Sequence, residues 1–298
     1  MLLTAESVNA DIVTIDGLRY DLNASTKEAI VSLGADLEVV TIPSTITHDN
    51  VTYSVTSIGD YGFWRGRLTS INIPESVTEI GSGAFGLCES LTSIAIPEGV
   101  KVIWPSTFNG CISLESVSLP STLTWIGTNA FLYCEKLRSI NIPQSVTRID
   151  KEAFSSCYSL TTIVIPEGVT EIAEGAFSAC EALSSVTLSE GLENIGKTMF
   201  ASCTSLTSIT LPKSVKYLGD GAFGSSGLVS VICKATTPPT CNGAVFADCP
   251  NLQFVEVPEE SLEAYVNKTP WNNIPFILPI GLNVPQGDDG YYELSTPM

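Results

Sequence analysis

A stretch of 23 residues, Leu68 to Ser90, recurs along most of this chain and constrains its fold more than any other feature. It reads LTSINIPESVTEIGSGAFGLCES, and related copies begin at Leu91, Leu114, Leu137, Leu160, Leu183 and Leu206. A period of this length is typical of a solenoid, in which each repeat forms one coil that contacts only its neighbours. We therefore expect one elongated body in place of the two globular domains that 298 residues would otherwise suggest.

Apolar residues occupy fixed positions in each repeat, counted here from its first leucine as position 1. Positions 4 and 6 alternate as in a β-strand, and a proline at position 7 ends the strand because it lacks an N–H for the sheet. Positions 10 and 13 predict a second short extended segment, and Ala-Phe at positions 17 and 18 predicts a tight turn of 3₁₀ type. We thus predict a mainly β fold whose coils stack through a parallel sheet at about 4.8 Å each.

The ends of the chain differ from the repeats and are predicted to cover the terminal coils, whose apolar faces would otherwise be exposed. Asp16-Gly17 between two apolar runs indicates a β-hairpin. The predicted parts are an N-terminal extension and hairpin cap at 1–36, a solenoid at 37–257 with an inserted hairpin at 48–57, a C-terminal cap with a short helix at 258–280, and a tail at 281–298.

The composition excludes several classes of partner. The net charge is −18, which argues against nucleic acid and against anionic membrane surfaces, since both attract Lys and Arg. No apolar run reaches the length of about 18 residues that a membrane-spanning helix needs. The first residues also lack the pattern of a signal peptide, so an export signal is not expected within this chain.

The repeat Leu-x-x-Ile-x-Ile-Pro … Val-x-x-Ile-Gly … Ala-Phe-x-x-Cys resembles the BspA-like class of leucine-rich repeats, from residue 37 to about 257. The end segments DGLRYDLN and ESLEAYVNKTPWNNI are similar to the caps of that class. The resemblance implies a right-handed solenoid, export to the cell surface of a host-associated anaerobe, and adhesion to host extracellular proteins. The repeat of this chain departs from commoner leucine-rich repeats at position 9, where Ser, Thr or Gly replaces their Asn.

Six cysteines occupy position 21 of the repeat, and Cys249 follows the last of them by two periods of 23 residues. Together they predict a buried column of free thiols: Cys88, Cys111, Cys134, Cys157, Cys180, Cys203 and Cys249. Parallel side chains on adjacent coils hold their Cβ atoms too far apart for a disulfide. Whether Cys233 and Cys241 are bonded stays open. No C-x-x-C pair is present, so no zinc site is predicted.

Two further patterns suggest chemistry but have simpler interpretations. The glycine-rich stretches that begin at Gly81 and Gly219 fit the dinucleotide fingerprint, yet no βαβ unit surrounds them, so they are interpreted as turns. His48 is the only histidine and lies in the inserted hairpin without a recognisable acid partner. We predict no catalytic residue, no metal site and no cofactor.

Positions 2, 3 and 5 are expected to face outward from the sheet and form a hydroxyl-rich surface with few charges, which solenoids use for binding. The candidate binding residues on it are Ser70, Asn72, Thr92, Ser93, Glu115, Ser116, Arg138, Ser139, Asn141, Thr161, Thr162, Ser185 and Thr187. A plain solubilising role is the alternative. Three aromatic residues at positions 12 or 14, Trp104, Trp125 and Tyr217, are expected to be exposed on the other flank.

Together with these features, the resemblance to BspA-like proteins implies a non-enzymatic, secreted or cell-surface adhesion protein whose partner is an extracellular protein or a surface glycan. A passive structural spacer is one alternative, and a hydrolase with its site near His48 is another. The oligomeric state is left open.

Overall fold

The computed structural model describes residues 11–34 and 36–282, and the predicted tail therefore lies outside it from residue 283 onward. About eleven coils stack into one β-solenoid, as the 23-residue period predicts. Each coil, called a rung below, contributes one strand to a main sheet, one to a second sheet, and a turn that closes the coil.

An antiparallel sheet covers the N-terminal end of the solenoid, which confirms the predicted hairpin cap. It consists of β1 (Asp11–Ile15), β2 (Leu18–Asn23) and β3 (Glu28–Leu33). The turn between the first two strands has φ of 50° at Asp16 and 80° at Gly17. These values fit a turn that needs positive φ at both central residues, which Asp-Gly tolerates.

The main sheet is built from positions 3 to 5 of the repeat, and its strands pair in parallel and in register within four groups of two or four strands that follow one another along the solenoid. They are β4 (Val39–Thr41), β7 (Ser70–Asn72), β9 (Ser93–Ala95), β11 (Ser116–Ser118), β14 (Thr162–Val164), β16 (Ser185–Thr187), β18 (Ser208–Leu211), β20 (Ser230–Cys233), β22 (Phe254–Val257) and β23 (Phe276–Pro279). In the rung that begins at Leu137, a single bridge from Ser139 to Thr162 replaces the strand.

The inserted hairpin is formed by β5 (Thr45–His48) and β6 (Val51–Ile58), with positive φ at Asp49 and Asn50. Strand β6 pairs in parallel with β3 of the cap and, on its other side, with β8 (Glu79–Ile80). The insertion therefore joins the cap to the solenoid.

The second sheet is a separate seven-stranded sheet that runs through positions 12 and 13 of the following rungs, as predicted. Its parallel strands are β10 (Val102–Ile103), β12 (Trp125–Ile126), β13 (Arg148–Ile149), β15 (Glu171–Ile172), β17 (Asn194–Ile195), β19 (Tyr217–Leu218) and β21 (Thr240–Cys241).

The closing turn is not of the predicted 3₁₀ type. Positions 16 and 20 have positive φ, for example 62° at Gly83 and 57° at Leu87. The N–H of Gly86 bonds within the rung to the carbonyl of Gly83 at 2.9 Å, whereas the N–H of Phe85 bonds to Thr107 of the next rung at 2.9 Å. A 3₁₀ helix would keep all these bonds within one rung, so the left-handed residues turn alternate N–H groups toward the neighbouring rung.

A column of stacked phenylalanines from Phe63 to Phe246 runs through the core, with ring centroids 5.1 to 5.8 Å apart. Trp271 ends the column edge-on to Phe246 at 5.8 Å. It belongs to the C-terminal cap, which contains α1 (Leu262–Val266) between two short 3₁₀ segments at Glu259–Ser261 and Trp271–Asn273. The predicted helical cap is thus confirmed.

Candidate binding surfaces

The outward face of the main sheet, called the sheet face, runs along the solenoid. Positions 4 and 6 point inward, as at the buried residues Ile94 and Ile96, so positions 2, 3 and 5 point to solvent. All thirteen candidate residues on this face are exposed: Ser70, Asn72, Thr92, Ser93, Glu115, Ser116, Arg138, Ser139, Asn141, Thr161, Thr162, Ser185 and Thr187. Their role in binding stays a prediction.

Hydroxyl groups on the sheet face fall into two kinds. At position 2, Thr69 donates to the carbonyl of Glu38 at 3.0 Å and Thr161 donates to the carbonyl of Arg138 at 3.2 Å. At position 3, the side-chain hydroxyls have no hydrogen-bond partner in the described part of the chain. This set, called the hydroxyl column, consists of Ser70, Ser93, Ser116, Ser139, Thr162, Ser185 and Ser208.

A shallow depression of about 560 Å³ lies on the sheet face over its N-terminal rungs. Its lining includes Ser93, Ser116, Ser118 and Asn141. The depression combines free hydroxyls with a side-chain amide, and these groups both donate and accept hydrogen bonds.

The three aromatic residues Trp104, Trp125 and Tyr217 are half-buried, so the prediction that they are exposed is wrong. The indole rings of the two tryptophans meet edge to face, with centroids 5.2 Å apart. Trp125 also donates through Nε1 to Asp150 Oδ2 at 2.9 Å, and the guanidinium of Arg148 lies 4.7 Å from its ring centroid. Contacts between rungs therefore cover part of each ring.

His48 does not form a catalytic arrangement. Its Nε2 lies 3.5 Å from Oδ2 of Asp49, but the Asp49 side chain is 89% exposed. A catalytic histidine is oriented by a buried carboxylate, and this exposed neighbour does not fix the ring. The geometry gives the hydrolase alternative no support.

All nine cysteines are free, including Cys233 and Cys241. In the thiol column, six members are fully buried and Cys249 is half-buried. Burial raises the pKa of Cys88 to about 11 and the pKa of Cys157 and Cys203 to about 12. Since the thiolate is the reactive form, these groups are inert at neutral pH.

The two glycine-rich stretches lie in the closing turns, as interpreted from the sequence. Gly83 and Gly221 occupy position 16 with φ of 62° and 60°. A Cβ atom at Gly81 would lie 2.5 Å from Asp60. Backbone conformation and close packing between rungs account for these glycines.

Within residues 11–34 and 36–282, no three His, Cys, Asp or Glu side chains gather in a group that could hold a metal ion. The same residues contain no helix with the length and apolar character that crossing a membrane requires.

Comparison with known proteins identifies this repeat. The family model for the BspA type leucine rich repeat region (6 copies) matches residues 44–161 and 147–268. The chain belongs to the BspA-type leucine-rich repeat family. Members of this kind of family are scaffolds, and the homologues found are themselves leucine-rich repeat proteins. None of the curated proteins compared with the chain matches it.

Solved structures of bacterial leucine-rich repeat proteins are similar to this chain. A leucine-rich repeat protein from Bacteroides ovatus is 28% identical, with 90% of this chain and 76% of that one covered and a TM-score of 0.67. A leucine-rich repeat protein of T. pallidum is also 28% identical, with 66% and 91% covered and a TM-score of 0.57. The pneumococcal vaccine antigen PcpA, at 19% identity, 85% and 83% coverage and a TM-score of 0.53, shares the fold alone.

Proposed function

We propose that this protein is a non-enzymatic adhesion protein, at the cell surface or outside the cell, that binds an extracellular protein through the sheet face. The observation that carries the proposal is the hydroxyl column, whose side-chain hydroxyls are regularly spaced and have no hydrogen-bond partner among the described residues. A binding partner can satisfy such groups without displacing existing contacts.

The charge of the sheet face also favours a protein partner. Glu115 and Arg138 on adjacent rungs are both exposed, and neither forms an ion pair within the described residues. The face therefore offers charges of both signs among neutral hydroxyls. Interfaces of standard size need about 800 Å² on each partner, and the stacked outward faces of the main-sheet strands supply an area of that order.

The test is a binding screen of the purified chain against immobilised extracellular matrix proteins at several salt concentrations. The double variant Ser116→Arg and Thr162→Arg places two long side chains on the sheet face. We expect it to weaken binding at least about tenfold, or roughly 1.4 kcal/mol. The matched control is Thr147→Arg, which changes an exposed residue on the other flank and should leave binding intact.

Two outcomes would contradict the proposal. If no matrix protein binds under any condition, the chain acts as a passive spacer. If a substrate panel shows turnover that His48→Ala abolishes, the hydrolase alternative replaces a binding role. Location is tested separately, by antibody labelling of intact cells before and after permeabilisation, and labelling only after permeabilisation would argue against the surface.

A further inference from the structure

A second depression, of about 380 Å³, lies on the flank of the second sheet and is called the Trp104 pocket. Trp104 forms part of its lining together with Thr78, Glu79, Gly99 and Lys101. Residues that carry an indole ring, a hydroxyl, a carboxylate and an ammonium group thus line one shallow depression. Small-ligand sites commonly have this composition, with an apolar surface and a few convergent polar groups.

The local sequence departs from the repeat at the positions that shape the pocket. Trp104 occupies position 14, where Gly81, Gly127, Gly196 and Gly219 stand in other rungs. A large aromatic side chain therefore projects where the array elsewhere has none. The repeat itself does not require this residue, because the glycine at the same position is compatible with the coil.

The opposite change occurs at position 9 of the same rung. Gly99 stands where Ser or Thr side chains fill the surface in four other regular rungs. A Cβ atom at Gly99 would lie 2.8 Å from Cγ2 of Thr78. The Thr78 methyl group therefore already occupies the space beside Gly99, and Gly99 contributes only backbone to the lining of the pocket.

The polar groups of the pocket are available to a ligand. Glu79 and Lys101 are exposed, and their charged groups form no ion pair within the described residues. By contrast, Lys216, at the same position as Lys101, pairs with Glu193 at 2.6 Å. The indole N–H of Trp104 also has no hydrogen-bond partner in the part of the chain that is described.

We infer that the Trp104 pocket binds a neutral pyranose unit of a carbohydrate. A flat indole face packs against the apolar C–H face of a sugar ring and excludes water from it. The Glu79 carboxylate accepts hydrogen bonds from sugar hydroxyls, and the Lys101 ammonium and the indole N–H donate to sugar oxygens. The carboxylate and ammonium charges cancel, which favours an uncharged sugar over an anionic one.

Neighbouring rungs hold the indole of Trp104 in place. The edge-to-face contact with Trp125 supports it, and Trp125 is itself fixed by the hydrogen bond to Asp150 and by Arg148. Ordering the ring before binding lowers the entropy cost of association. Trp125 is therefore a positioning residue, and the pocket is independent of the sheet face.

The test is titration of the ¹⁵N-labelled chain with neutral trisaccharides of glucose, galactose, mannose and N-acetylglucosamine at millimolar concentration. Indole N–H signals are followed by NMR, and Trp104→Phe assigns the Trp104 signal. We expect at least one trisaccharide to shift that signal in a saturable way. The signal of buried Trp271, which donates to the carbonyl of Pro239 at 3.3 Å, should not move.

Variants then assign the contacts. Trp104→Ala should weaken binding by at least about tenfold, and Glu79→Gln and Lys101→Met by about fivefold each, as expected for one hydrogen bond. Tyr217→Ala, a half-buried aromatic on the same flank, is the matched control and should bind normally.

The inference fails if no trisaccharide shifts the Trp104 signal, or if Trp104→Ala binds as the parent chain does. If Trp104→Ala does not fold, the variants Glu79→Gln and Lys101→Met, which change exposed residues, provide the test. Unchanged trisaccharide affinity in both variants would contradict the proposal that the pocket binds a sugar. Variants on the sheet face are expected to leave the trisaccharide titration unaltered. A negative sugar titration would therefore contradict only the pocket, and a negative matrix-protein screen would contradict only the protein-binding role of the sheet face.

Discussion

The thiol of Cys134 donates a hydrogen bond to the carbonyl oxygen of Phe108 in the preceding rung, with 3.3 Å between Sγ and O. The same carbonyl accepts the backbone N–H of Cys111 at 3.1 Å. The pairing between a cysteine and the phenylalanine of the rung before it recurs through the column, as at Cys88 with Phe63. The Ala-Phe-x-x-Cys pattern thus specifies both the stacked rings and the groups that satisfy their carbonyls.

Thiol labelling should follow burial. In the native chain at pH 8, we expect a small thiol reagent to modify only half-buried Cys249 and to leave the other eight cysteines untouched. Cys241 is also half-buried, but burial raises its pKa to about 12, so it stays a protonated thiol. All nine should react in denaturant, which also establishes that Cys233 and Cys241 are not bonded. Peptide mapping by mass spectrometry checks both results, and native labelling of Cys134 or Cys157 would contradict the buried column.

Stability should fall in alkaline solution. Burial raises the pKa of Cys157 and Cys203 from the ordinary 9.0 to about 12, so the folded chain keeps protons that the unfolded chain releases. The contribution of these two thiols to the free energy of unfolding is therefore constant below pH 9. It decreases as the pH rises from 9 toward 12, because the unfolded chain then releases protons that the folded chain retains. Urea titrations at increasing pH measure this slope. Cys157→Ala should show a shallower slope, and an unchanged slope would contradict the assignment.

Removing one ring from the middle of the phenylalanine column should be costly. Phe154 is fully buried, with stacked neighbours at 5.1 Å and 5.3 Å. We expect Phe154→Ala to lower the free energy of unfolding by about 3–5 kcal/mol, through lost burial and the cavity that remains. Chemical denaturation measures the change. Val164→Ala on the exposed sheet face is the control and should change stability by less than about 0.5 kcal/mol.

Much of this fold could be predicted because each inward position recurs in the sequence. Leu137, Val146 and Phe154 sit at repeat positions that every regular rung fills with an apolar residue, and all three are fully buried. The proline at position 7 marked the end of most main-sheet strands in the same way, although Ser189 stands there in the rung that begins at Leu183. The outward positions followed from strand alternation, which is why the candidate residues on the sheet face are exposed.

Other features were missed because they depend on contacts between rungs. The closing turn bonds alternately within and between rungs, and no residue pattern within one repeat signals that alternation. Trp104 and Trp125 occupy outward positions, but their rings lean together across the 5.2 Å between their centroids. The signal that could have identified the Trp104 pocket was a tryptophan at a position that most rungs give to glycine.

Position 9 shows how this array replaces the asparagine of commoner leucine-rich repeats. Ser145 Oγ donates to the carbonyl of Leu123 in the preceding rung at 2.6 Å, and Ser214 donates to Leu192 at 2.7 Å. Gly191 occupies position 9 of its rung and has no hydroxyl. There the hydroxyl of Ser189 donates a hydrogen bond to the carbonyl of Val169, which corresponds to the acceptor in the other rungs, at 3.0 Å. A serine hydroxyl thus holds one rung to the next.

Gly168 lacks this hydroxyl, so Gly168→Ser should stabilise the chain. A Cβ atom there would lie 3.3 Å from the carbonyl of Val146, which corresponds to the acceptor in the other rungs, and 3.3 Å from the exposed side chain of Thr147. We expect a gain of about 1 kcal/mol from the added hydrogen bond. Gly168→Ala restricts the unfolded chain without adding a donor. Equal stability of the serine and alanine variants in urea would therefore show that the bond does not form.

Gly196→Ser provides the opposite case. Its Cβ atom would lie 2.7 Å from the carbonyl of Ile172 and 2.9 Å from the backbone of Ala173, neither of which is the end of a flexible side chain. The backbone would have to shift, so we expect a loss of about 1–3 kcal/mol. The same substitution should therefore raise the urea midpoint at Gly168 and lower it at Gly196, because the distance to the backbone of the preceding rung sets the sign: a Cβ atom lies 3.3 Å from it at Gly168 and 2.7 Å from it at Gly196.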